Sequence, residues 1–224
     1  MRALSAGLAL CISASAACTS ARSAPPSAGP AAGARYLALG DSFTIGTGST
    51  PAEAYPARLT AFVSCGVELR NAGVNGYTTD DVIAEELPEL ARFTPTFVTL
   101  AIGANDIVQG RTRDEYRAHV RQILAAVKAA GVRRIVSLPQ PDWSLSPAAR
   151  DFGEPPAIHA RIVDANAILR DETLAAGGAF VDLFPLMEEQ ARAGMLARDG
   201  LHPSAAAYGA WAAELARQGV SPCG

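Results

Sequence analysis

Ser42 stands directly after the apolar run Tyr36-Leu37-Ala38-Leu39 and the pair Gly40-Asp41, and ahead of the Gly- and Thr-rich piece Thr44 to Gly48. The run reads as a buried parallel strand, so the serine arrives at a strand's carboxyl end, the edge of open α/β sheets where ligands bind. Far along the chain, Asp199-Gly200-Leu201-His202 sets a carboxylate and an imidazole at i and i+3. That spacing lets Asp199 accept a hydrogen bond from one ring nitrogen of His202 and leaves the other nitrogen for Ser42. Two more polar clusters, around Gly76 and at Asn105-Asp106, also follow predicted strands. Hydrolysis of an ester needs a hydroxyl nucleophile, a base, a carboxylate that holds the base's tautomer, and donors for an oxyanion. Each cluster alone also fits an ordinary turn. Their convergence on one sheet edge is what makes chemistry of them.

For these groups to meet, regular elements must end where they stand. Ala52 to Ser64 reads as a helix with Tyr55, Leu59 and Phe62 on one face, ended by Gly66. Val67 to Arg70 follows as a second strand. Thr79 caps a short helix through Leu87 that Pro88 ends, and Phe97 to Ile102 is the clearest buried strand. Thr112 and Glu115 form a capping box ahead of a helix that carries Tyr116, Val120, Ile123, Leu124 and Val127 inward as far as Gly131. Arg134 to Leu138 is a fourth strand, and Pro139 to Pro156 a long Pro-rich loop. Ala157 to Ala176 is helical with Ile158, Ile162, Ala165 and Leu169 inward, and Ala179 to Leu183 is a fifth strand. A short helix over Leu186 to Ala193 precedes the last loop. Ser204 to Gln218 closes the chain as a helix with Tyr208, Trp211 and Leu215 buried and Gly219 at its end. Strands and helices alternating at this spacing predict an α/β fold: a five-stranded parallel sheet covered on both faces, a three-layer α/β/α sandwich. His119 and His159 fall inside predicted helices and read as surface residues.

The blocks Gly40-Asp41-Ser42-Phe43, Asn75-Gly76-Tyr77-Thr78, Gly103-Ala104-Asn105-Asp106 and Asp199-Gly200-Leu201-His202-Pro203 resemble, in order, the motif blocks of the SGNH, or GDSL-type, hydrolases. The resemblance runs from Tyr36 to about Gln218 and implies the flavodoxin-like fold of that superfamily. It also implies roles: Ser42 as nucleophile, His202 as general base, Asp199 as its orienting acid, and an oxyanion hole from the N–H groups of Ser42 and Gly76 and the amide of Asn105. Phe43 stands where the family usually has Leu, and Gly73 competes with Gly76 for the second block. Trp143 and Phe152, in the long loop, are candidates to wall an acyl or sugar pocket, or simply to pack that loop down. Members of the superfamily cleave lipids, simple esters, thioesters and acetylated sugars, without a metal or other cofactor.

The ends of the chain carry a different message. Met1-Arg2 and the Ala/Leu-rich run to Ala17 read as an export signal, with cleavage after Ala16 or just before Cys18. The second choice resembles a lipoprotein signal in which Cys18 bears the lipid, and free secretion stays open beside it. Residues 18–34 are rich in Ser, Ala, Pro and Gly and read as a flexible linker, which leaves 35–224 as one hydrolase domain. Net charge is -3 with no long Lys or Arg run, so no grip on nucleic acid or an anionic membrane surface is expected. The expected partners are a small-molecule, lipid or acylated-sugar ester and, if Cys18 is lipidated, a membrane; the protein is expected to be a monomer. Cys65 and Cys223 remain in the exported body, either as a disulfide or as two buried thiols. Two readings compete with the esterase. One is a metal-dependent phosphoesterase with Asp41, Asp106, Asp199 and His202 as ligands; the other is a cell-surface binding protein that keeps the fold alone. No serine sits in a Gly-x-Ser-x-Gly elbow, Gly46 and Gly48 lack the third glycine of a dinucleotide fingerprint, and the cysteines have no zinc-like spacing.

Overall fold

Tyr36, Leu37, Ala38 and Leu39 have no solvent exposure, and the strand they form, β1 (Ala34–Gly40), lies inside the sheet. In the computed structural model Met1 and residues 33–223 are described; the rest of the expected export signal, Cys18 and the expected linker up to residue 32 lie outside them. β2 (Val67–Asn71), β3 (Phe97–Ala101), β4 (Arg134–Ser137) and β5 (Ala179–Phe180) complete a five-stranded sheet in the order β2-β1-β3-β4-β5. All four pairings are parallel. This is the doubly wound order in which successive crossovers leave β1 in opposite directions, opening a crevice at the carboxyl ends of β1 and β3. Ser42 follows β1 and Asn105 follows β3, so both flank that crevice.

Both faces of the sheet are covered. α6 (Arg113–Ala129) packs on α7 (Pro155–Ala175), and α2 (Tyr55–Thr60) packs on α9 (Ala205–Arg217). The predicted capping box is present: Thr112 accepts the Glu115 N–H while the Glu115 carboxylate takes the Thr112 N–H. Tyr116, Val120, Ile123, Leu124 and Val127 are all buried. Cys65 and Cys223, just beyond α2 and α9, form a disulfide with an S–S distance of 1.93 Å that closes a separation of 158 residues. The Arg134 guanidinium donates to the Ser221 carbonyl at 3.0 Å and tethers the same terminus. Among the described residues no helix is long and apolar enough to cross a membrane.

The structure differs from the sequence reading in several elements. α2 is half the length expected, because the Pro56 ring is tolerated only in a first helical turn and sets the start at Tyr55. The helix is over by Ala61, which leaves Phe62 54% exposed instead of on the buried face. Pro88 opens a helix, α4 (Pro88–Phe93), instead of closing one: it sits at the first helical position, where a missing N–H costs nothing. Between α3 (Thr79–Asp81) and α4 lies a π-helical turn, Val82–Glu86. Thr78, not Thr79, is the cap of α3. The stretch Gly103 to Asp106 enters a helix, α5 (Ala104–Val108), and β5 pairs over two residues only. α8 (Phe184–Arg192) begins two residues before the expected start at Leu186.

Candidate active site

Gly40 ends β1 at φ +150°, and a Cβ there would stand 2.2 Å from the Ala101 carbonyl oxygen. Only glycine lets the strand end run this close to β3 and turn sharply into α1 (Ser42–Ile45). Asp41 caps that helix through Oδ1, which accepts the Phe43 N–H at 3.0 Å. Ser42 is therefore the first helical residue, and its own N–H is one of those that a helix start leaves without an internal acceptor.

The hydroxyl of Ser42 is 2.9 Å from Nε2 of His202. On the other side of the ring, Nδ1 is 2.8 Å from Oδ2 of Asp199. Oδ1 of Asp199 accepts the N–H groups of Leu201 and His202, each at 3.0 Å, so the carboxylate is fixed by the loop that carries the imidazole. The loop is pinned where it leaves: Ala197 donates to the His202 carbonyl at 2.7 Å, and Leu196 bridges Pro203. The ring of Phe43 lies 5.3 Å from that of His202. Burial works to raise the Asp199 carboxyl, but hydrogen bonds from the Leu201 N–H and from the ring and N–H of His202 prevail and hold it below the usual range.

Ser42, Gly76, Asn105 and His202 line one cavity of about 190 Å³. Gly76 has φ +83°, a conformation that glycine adopts without strain. Gly73 does not line the cavity; its backbone is wedged against the Asp41–Ile45 turn and its N–H goes to Asn71 Oδ1 at 3.2 Å. One Asn105 amide hydrogen is taken by the Tyr77 carbonyl at 2.9 Å, which leaves its second for the cavity. Trp143 and Phe152 also line it, in edge contact at 5.6 Å; Trp143 is buried, Phe152 is 44% exposed at the mouth.

The four proposed metal ligands are not drawn together. Asp41 is fully buried, and its carboxyl is pushed up to about 8 by burial against the opposing Phe43 N–H bond, with Asp106 adding to the rise. Asp106 accepts the Thr79 N–H and hydroxyl at 3.0 and 2.5 Å and pairs with Arg111 at 2.9 Å. Among the described residues, the trio of metal-ligand type that does gather is Asp142, His159 and Glu188.

Sequence reasoning missed several supporting groups. The Thr79–Asp106 pair ties the segment after Gly76 to the segment that carries Asn105, and His119 Nδ1 joins it at 3.0 Å from the Thr79 hydroxyl. His159 Nδ1 sits 2.6 Å from Asp142 Oδ2. Both histidines are partly exposed on their helices, His159 with 45% of its side chain accessible, but each also has a partner. No local pattern reveals these contacts, because their partners are 17 to 40 residues away.

A flavodoxin-like α/β/α sandwich with Ser42, His202 and Asp199 in hydrogen-bonded line at the carboxyl edge of its sheet has the architecture of the SGNH hydrolases. The model of the GDSL-like Lipase/Acylhydrolase family matches residues 38–210, and the chain belongs to that family. It is similar to thioesterase 1/protease 1/lysophospholipase L1 of Escherichia coli, at 30% identity over 106 residues, 47% of this chain and 51% of that one. The chain thus spans about half the length of that relative. The fold is shared with an alpha/beta hydrolase enzyme from the metagenome of Lake Arreo, Spain, at TM-score 0.67 and 23% identity over 84% of this chain and 96% of that one. An acetyl xylan esterase variant from Geobacillus stearothermophilus has TM-score 0.67 and 21% identity over 83% and 94%. A lipase/acylhydrolase from Enterococcus faecalis has TM-score 0.65 and 22% identity, again over 83% and 94%.

Proposed function

We propose that the protein is an exported serine ester hydrolase that cleaves carboxylic esters through an acyl-enzyme. The observation that carries this reading is the line from Ser42 Oγ through the His202 ring to Asp199, 2.9 and 2.8 Å long, opening on a cavity with unused donors. Oγ attacks the ester carbonyl as Nε2 takes its proton, and Asp199 holds Nδ1–H and the imidazolium that forms. The oxyanion is met by the N–H groups of Ser42 and Gly76 and the free amide hydrogen of Asn105. His202 then returns the proton to the departing alkoxide. Water, deprotonated by the same ring, attacks the acyl carbon, Ser42 leaves as the alcohol, and the acid product goes free.

Apart from His202, no ionisable side chain among the described residues lines the cavity, and Phe43, Val108, Trp143, Phe152 and Leu201 make its wall apolar. Such a wall favours a neutral, apolar acyl group. The names of the relatives, which include a thioesterase, a lysophospholipase and an acetyl xylan esterase, support the carboxylic-ester class and leave acyl length to be measured. A phosphonate ester is expected to label Ser42 stoichiometrically, and hydrolysis of a p-nitrophenyl ester panel is expected to survive exhaustive chelation. Activity lost to a chelator and restored by a divalent ion, with Ser42 unlabelled, would overturn the reading in favour of metal-bound water. Export and a lipid at Cys18 belong to the same proposal. A Cys18→Ser variant should leave the membrane fraction, because an acyl anchor would supply most of the membrane affinity.

A further inference from the structure

Both polar groups of Gly40 face the side of the sheet on which β2 has stopped pairing, its register with β1 ending at Ala38 and Asn71. The Gly40 carbonyl accepts the Val74 N–H at 3.3 Å. Its N–H donates across 46 residues to Oε2 of Glu86 at 2.9 Å. Glu86 is 2% exposed and is the last residue of the π-helical turn, a conformation that inserts one residue into a helix and so re-aims the side chains that follow. The remaining oxygens of the two carboxyl groups here, Oε1 of Glu86 and Oδ2 of Asp41, are both buried without a hydrogen-bond partner among the described residues. Keeping two carboxyl oxygens buried without a protein partner is costly.

We propose that Glu86 is a positioning residue of the hydrolysis: by accepting the Gly40 N–H it fixes the end of β1 and thereby the direction in which Ser42 Oγ is presented to His202. The inference rests on the assignment of Ser42 as nucleophile. Glu86 touches neither the cavity nor His202 and acts only through the backbone of Gly40 and Asp41. Without its acceptor, the Gly40 N–H has no strand to pair with and the turn loses the anchor nearest to Ser42 on the β1 side. A displacement of about 1 Å at a reacting atom costs on the order of 10²-fold in rate. Burial pushes the Glu86 carboxyl up to about 9, against the Gly40 N–H bond and with Asp41 and Asp81 adding to the rise, so glutamine reproduces both its charge and its acceptor.

The test compares Glu86→Gln, Glu86→Leu and Glu86→Met for kcat and KM on a p-nitrophenyl ester, the rate of Ser42 labelling by a phosphonate ester, and Tm. Glu86→Gln should keep kcat within about 3-fold. The two apolar variants should lose about 10- to 100-fold in kcat and in labelling rate, with KM within about 2-fold. Apolar variants as active as the parent, or a glutamine variant as impaired as they are, would overturn the proposal. Failure of both apolar variants to fold, with Glu86→Gln folded, would also overturn it by making Glu86 a stability residue. A parent protein that neither turns over an ester nor takes the label fails differently: it removes the nucleophile assignment itself.

Discussion

Ser42 rests on a turn whose flanking Asp41 and Thr44 have no exposure and whose backing residue Glu86 has 2%, whereas the Asp199 side chain, across the crevice, is 42% exposed. The turn is held by partners far away in sequence: Glu86 on Gly40, the Ala101 carbonyl accepting the Thr44 hydroxyl at 3.3 Å, and Asn71 donating to the Thr44 carbonyl at 2.8 Å. The Asp199–His202 loop is held mainly by bonds of its own, three of them within four residues, besides the Ala148 N–H on the Gly200 carbonyl at 3.5 Å. The same line of three groups is thus fixed from the core at one end and locally at the other. A local motif keeps its geometry when exposed because each bond closes a short loop at little entropic cost. A serine at a strand end has no such option and depends on the packed interior.

Removing each group should expose this asymmetry. Ser42→Ala is expected to lower kcat by on the order of 10⁵-fold or more, leaving far-UV CD and Tm near the parent's, since only one oxygen of a partly accessible side chain is lost. Asp199→Asn should lose less, about 10²- to 10⁴-fold, because water reaches that carboxyl and can replace part of its hold on the ring. A loss equal to that of Ser42→Ala, at unchanged Tm, would show that the exposed loop is as strictly determined as the buried turn. Under the proposed mechanism, in which its amide meets charge that develops in the transition state, Asn105→Ala should cost about 10²- to 10³-fold in kcat with a smaller change in KM. An unchanged kcat would remove Asn105 from the oxyanion hole. Phe152→Ala, at the open mouth, should change kcat/KM only about 10-fold, and only for longer acyl chains, as one lost hydrophobic contact does. Equal losses for acetyl and longer esters would place Phe152 in the packing of the loop.

The same contrast decides what could be read from the sequence. The i, i+3 spacing of Asp199 and His202 places both groups on one turn, so the reading from residues and the observed geometry coincide there. The parallel sheet follows from alternating elements, and the clusters at Ser42, Gly76 and Asn105 come after β1, β2 and β3 as expected, with the Asp199–His202 cluster ahead of the final helix. Glu86 was illegible because nothing in a helical period signals a π turn; the residue looks like one more charge beside Glu85, which is exposed. Phe62 and Pro88 misled for the converse reason. An apolar residue at helical spacing and a proline after a helical run are local signals, and here the positional rules for proline at a helix start overrode them.

The smallest effect concerns no rate at neutral pH, only the protons that the two regions hold on folding. Burial raises Glu86 to about 9 and Asp41 to about 8 in the folded protein, while in an unfolded chain such groups titrate near about 4. Between those limits the folded state binds more protons than the unfolded one, so stability must fall as pH rises. Their contribution is fully present below about pH 4 and is lost progressively toward pH 8 to 9. Asp199 has the opposite sign: its folded value is lowered, so its contribution is present above the ordinary carboxylate range and is lost only as pH falls below it. Denaturant titrations from pH 5 to 9 should show the parent losing stability with a steeper slope than Glu86→Gln, which has no proton to release. Asp199→Asn should keep the parent's slope over that window and differ only in acid. Parallel curves for the parent and Glu86→Gln would mean that Glu86 is already ionised in the fold, with its charge compensated from within the turn and not by the proton.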